Sequence, residues 1–125
     1  MKKTLPFLII GTALLMSTTA SAMSLSFSWG PTKKCFDPKS PPLRVSGVPK
    51  GTKKLRFNMT DLDARSYYHG GGTVAYRGKS RIRYGAFRYK GPCPPRRHRY
   101  RITVKAIGAG GKMLASASAT RSFNK

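Results

Sequence analysis

Apolar and polar residues alternate with a period of two along much of this chain. Leu25, Phe27 and Trp29 interleave with Ser24, Ser26 and Ser28. Leu55, Phe57 and Met59 interleave with Lys54, Arg56 and Asn58, giving a strand over Lys54–Thr60. Tyr100, Ile102, Val104 and Ala106 interleave with Arg99, Arg101, Thr103 and Lys105. Ala115, Ala117 and Ala119 interleave with Ser116, Ser118 and Thr120. Successive side chains of a β-strand point to opposite faces, so each run predicts a strand with one dry and one wet face. Gly- and Pro-rich segments punctuate the runs: GPTKK, SPP, GVPKG, HGGG, YKGPCPP and GAGGK. Such segments mark turns, and the last of them predicts a hairpin loop between two strands. No helical period of useful length is present. The pattern predicts an all-β fold, a single compact sandwich or barrel.

The first 22 residues follow a different pattern. Lys2 and Lys3 precede an apolar run from Leu5 to Met16, and Ala20-Ser21-Ala22 offers a small-x-small cleavage site. This is the pattern of a secretory signal peptide over residues 1–22. An uncleaved anchor would require an apolar run of roughly 18 residues, longer than this one. No Cys follows the apolar run, which argues against a lipid anchor. The expectation is cleavage near Ala22, a β domain over residues 23–125, and a periplasmic or secreted location.

Charge changes the picture most. The 125 residues include 25 Lys or Arg against three acids, a formal charge of +22. With 39% hydrophobic residues and regular patterning, the chain is not a disordered polycation. It is too short for a TIM barrel. Three acids leave no material for a two-metal carboxylate site or a multi-Asp calcium loop. Many basic residues, Arg99, Arg101 and Lys105 among them, fall on wet strand faces. Such a surface attracts polyanions.

Export places Cys35 and Cys93 in an oxidising compartment. The expected pairing is a Cys35–Cys93 disulfide, against two free thiols or an intermolecular bridge. Closing so long a loop stabilises a fold by about 4 kcal/mol in the chain-entropy account. Two Cys without a CxxC or a His pair do not make a zinc site. The other candidate groups are His69, His98, Asp37, Asp61 and Asp63. His98 shares the inward phase of Tyr100 and Ile102. It is either a satisfied core histidine or a ligand-binding one, with Arg96, Arg97 and Arg99 around it. Asp61 and Asp63 follow a strand in phase with one another, and Asp61 is either a turn cap or a site residue. His69 precedes three glycines, which permit close approach by a ligand or another strand.

These residues carry a resemblance. SPPL (Ser40–Leu43), GVPKGTKKL (Gly47–Leu55), TDLDA (Thr60–Ala64), a His followed by Gly, and YKGPCPPRRHRYRITVKAI (Tyr89–Ile107) occur in the order seen in the phosphatidylethanolamine-binding protein (PEBP) family. That family includes the Raf kinase inhibitor proteins and small bacterial relatives. The resemblance spans roughly Cys35 to Ala115. It implies a β-sandwich with an anion pocket at one end that takes phosphate-like groups and phospholipid headgroups. Asp61 resembles the first Asp of the family's D-P-D-A-P. His69 resembles the His of its H-W or H-H segment, and Pro94, His98 and Tyr100 the Pro, His and Tyr of its G-x-x-P-P…H-R-Y segment. Leu62 and Arg65 replace two prolines of that pattern, and Gly70 replaces an aromatic. The stretch from His69 to Gly91 is short, which implies a trimmed roof over the pocket.

Three function classes follow. The first is a binding module for a small anion or phosphorylated headgroup, with donors from imidazole N–H, the Tyr100 hydroxyl and backbone N–H groups near the glycines. The second is a basic surface that binds an anionic membrane, lipopolysaccharide or an acidic protein, as a protease or kinase inhibitor does. Export argues against a nucleic-acid partner. The third is an enzyme. No G-x-S-x-G, H-x-D or H-x3-H is present, so the sequence assigns no catalytic residues, metal or cofactor.

Overall fold

The computed structural model describes residues 22–124, together with residues 3–6, 9, 11 and 12. Most of the signal peptide expected over residues 1–22 lies outside the described residues. Seven strands follow: β1 (Ser24–Phe27), β2 (Leu43–Ser46), β3 (Lys54–Asp61), β4 (Tyr68–Ala75), β5 (Arg81–Ile82), β6 (His98–Ile107) and β7 (Met113–Phe123). They form two antiparallel sheets, a small one ordered β1-β2-β5 and a large one ordered β4-β3-β6-β7. A short 3-10 turn over Ala109–Gly111 closes the β6–β7 hairpin where the glycines of GAGGK were expected to turn the chain.

The period-two alternation is what packs the sheets. In β3 Leu55, Phe57 and Met59 are buried and Lys54, Arg56 and Asn58 exposed. In β6 His98, Tyr100, Ile102, Val104 and Ala106 are buried. They meet Leu25, Phe27, Leu43 and Val45 of the small sheet in one core. Each large apolar side chain so buried contributes roughly 1.5–3 kcal/mol. Trp29 lies just beyond β1, which ends at Phe27, although alternation alone would carry the strand through it. It makes edge contacts with Phe27, Tyr100 and Phe123, and its Nε1 donates to the Ser122 carbonyl at 2.7 Å. It thus bridges the two sheets.

Two features depart from the pattern-based reading. HGGG is not a turn but part of β4, in register with β3 through Gly71↔Asn58 and Gly72↔Phe57. A Cβ on Gly71 would lie 1.8 Å from the Phe57 carbonyl oxygen, and one on Gly72 would lie 2.6 Å from Phe87. The glycines therefore admit a neighbouring strand and a phenylalanine, not a ligand. Asp61 and Asp63 also part company: β3 ends at Asp61, so Asp61 is buried and Asp63 exposed.

Candidate functional site

Antiparallel pairing gathers three strand ends at one end of the large sheet. Thr60 at the end of β3 pairs with Tyr68 at the start of β4, and Asp61 pairs with Tyr100 near the start of β6. His69 and His98 therefore arrive beside Asp61. All three are nearly buried, at 3%, 8% and 3% exposure for His69, His98 and Asp61. Asp61, His69, Pro94, His98 and Tyr100 line a single cavity of about 100 Å³. Phe36, Ala64, Tyr67, Cys93 and Pro95 complete its walls.

Asp61 both caps a turn and holds an imidazole. Its Oδ1 accepts from the Asp63 backbone N–H at 2.9 Å, capping the turn after β3. Its Oδ2 lies 2.7 Å from His98 Nδ1, which donates to it. His69 Nδ1 donates to the Lys90 carbonyl at 2.7 Å, since a carbonyl can only accept. Both imidazoles are thus fixed through Nδ1. Neither Nε2 has a protein partner among the described residues, and neither is sealed from solvent. Tyr100, 1% exposed, stands between them, with ring centroids 5.5 Å from His69 and 6.4 Å from His98. Burial, and then the neighbouring Asp61 charge, push its phenol far above the ordinary tyrosine range. It stays protonated and remains a donor.

The rim adds residues that no motif marked. Phe36 and Tyr67 stack at 6.1 Å, and Lys90 Nζ lies 5.0 Å and 4.8 Å from their ring centroids. A cation over aromatic faces is held electrostatically by the ring quadrupoles. The sequence signal for Lys90 was only its place before GPCPP. Phe36 has a left-handed backbone, φ 54°, unique among the described non-glycine residues. The Cys35–Cys93 disulfide, with Cα atoms 4.6 Å apart, ties its loop to the Pro94 loop. His98 also lines an adjoining open cleft with Arg96 and Arg97.

The remaining acids serve structure. Tyr84 donates to Asp37 Oδ2 at 2.5 Å, which raises the Tyr84 pKa. Asp63 accepts from the Arg99 side chain and backbone N–H, and those bonds hold its carboxyl below the usual range.

No protein-family model matches the sequence, and no curated protein does. Solved structures do resemble the fold. One is CT736 from Chlamydia trachomatis, a proposed phosphatidylethanolamine-binding protein homologue. It is 19% identical with a TM-score of 0.59, over 83% of this chain and 98% of that one. Another is Escherichia coli YbcL, described as a member of the mammalian PEBP family. It is 16% identical with a TM-score of 0.63, over 84% of this chain and 99% of that one. The all-β sandwich described above is thus the fold of bacterial PEBP homologues.

Proposed function

We propose that the chain is an exported, strongly basic PEBP-like binding protein whose histidine pocket holds a small anion, a phosphate or phosphorylated headgroup. The observation that carries this reading is the pair of buried imidazoles, each pinned through Nδ1, each with no protein partner for Nε2 among the described residues, and both lining one cavity with Tyr100. Asp61 fixes the His98 tautomer and stabilises its charged form when an anion enters. Lys90, Arg96 and Arg97 supply positive potential around the mouth. About 100 Å³ is room for roughly three water volumes, enough for one oxyanion and not for acyl chains. No Ser or Thr lines the cavity and Cys93 is bridged, which supports binding over acyl transfer.

Titration calorimetry with inorganic phosphate and with phosphoethanolamine tests this. The expected Kd lies roughly between millimolar and micromolar. His98→Ala removes one of the two imidazole donors and is expected to lose most of the phosphate affinity. A His98→Ala variant that binds phosphate like the wild type, with an unchanged melting curve, overturns the reading.

A further inference from the structure

A second cleft shares no residue with the histidine pocket. It has a volume of about 570 Å³ and lies where β1, β2 and β5 meet the end of β7. Its floor is apolar, built from Phe27, Leu43 and Ile82, and its rim carries Arg44, Arg81, Arg83 and Arg121. Arg44 and Arg81 are direct cross-strand partners. Side chains so placed have Cβ atoms about 4.5–5.5 Å apart, and like charges there repel. No side-chain carboxylate among the described residues relieves them. Asp37 accepts from Tyr84, Asp61 from His98 and Asp63 from Arg99.

Arg121 strengthens the case. It has the inward phase of Ala115, Ala117, Ala119 and Phe123, yet it is exposed and lines the cleft. A smaller groove lined by Arg77 and Lys79 shares Arg81 and Arg83 with the cleft and extends its positive field.

We propose that this cleft is a separate binding site for a compact multivalent phosphate, a molecule carrying two or three phosphate groups close together. The ligand class follows from charge density. Four guanidiniums around this volume require several negative charges in a small space. A carboxylate ligand brings one charge per carboxyl, whereas a phosphate monoester brings about 1.5 to 2. Phosphate oxygens also match the guanidinium fork in pairs. Phe27, the only aromatic there, is buried rather than offered for base stacking. The proposal does not depend on the histidine pocket.

The probe is inorganic tripolyphosphate, titrated at about 0.15 M salt to suppress diffuse attraction. Three variants are compared with the wild type: Arg44→Gln with Arg81→Gln, Arg101→Gln with Lys105→Gln, and His98→Ala. The first pair is expected to lose at least about tenfold in affinity, since it removes two charge-assisted contacts. The second removes the same charge from the outer face of the large sheet and stays within about twofold. His98→Ala reports whether tripolyphosphate is held in the histidine pocket instead. Tripolyphosphate raises the Tm of the wild type and not of the Arg44/Arg81 variant, which keeps a cooperative melt. Vesicles carrying a bisphosphorylated lipid form the second arm: binding there as well as to tripolyphosphate assigns a lipid head, and binding to tripolyphosphate alone a soluble ligand. Equal losses in both charge pairs, a loss confined to His98→Ala, or no wild-type binding overturns the proposal.

Discussion

The histidine pocket and the arginine cleft treat charge in opposite ways. In the pocket, the imidazole of His98 is matched by Asp61, His69 is matched by a carbonyl, and the walls are closed by a disulfide-tied loop. In the cleft, four arginines share an open space without one carboxylate among the lining residues. A buried charge without a partner is expensive, so the pocket had to satisfy itself internally. Exposed arginines remain hydrated and tolerate the lack of a partner, at the price of mutual repulsion. The buried polar groups of the pocket are therefore part of what holds the fold together, and the arginines of the cleft are not.

Breaking each region separately tests that contrast. The largest expected effect is from Cys35→Ser with Cys93→Ser. The bridge closes a separation of 58 residues, so its loss costs about 4 kcal/mol in the chain-entropy account. Urea titration measures the loss. Phosphate affinity at the pocket falls as the Phe36 wall loosens, while tripolyphosphate binding at the cleft holds. Next is Asp61→Ala, which strips His98 of its carboxylate and uncaps the turn to Asp63. A loss of about 3 kcal/mol is expected by the same measurement, whereas Arg44→Gln leaves stability unchanged or slightly raised.

The smallest effect is alkaline. Burial raises the pKa of Tyr89 and Tyr100 above their unfolded value near 10. Groups with raised folded values stabilise fully below the unfolded pKa, and that contribution is lost as pH rises beyond it. Melting temperature should therefore fall above about pH 10. Tyr100→Phe should flatten that fall, and an unaltered slope would remove Tyr100 as its cause.

Much of the fold was legible because alternation is a local signal. β3, β6 and β7 are long enough to show it, and their runs became strands. β2 has four residues and β5 only two, too few to establish a period. β4 hid behind HGGG, because glycine reports a turn and a close strand contact with the same letter. At the pocket, motif resemblance named five of the lining residues, and the structure brings them into one cavity. It did not name Phe36, Tyr67 or Lys90, whose roles depend on stacking between separate loops. Arg121 left a trace, a charge in the phase of the inward alanines, but that trace has no meaning without the sheet that stops short of covering it.

The sequence by itself determined the strand period, the all-β class and the excess of base over acid, since each depends on neighbours along the chain or on simple counts. Only the tertiary structure decided which cations are neutralised and that both histidines line one cavity. Asp61 finds His98 through the β3–β6 register, and Arg44 faces Arg81 through the β2–β5 register. A shift of one residue would turn every side chain of a strand to the other face, so register is selected by burying all the inward residues of both sheets at once. That selection belongs to the assembled core, and no single segment of the chain contains it.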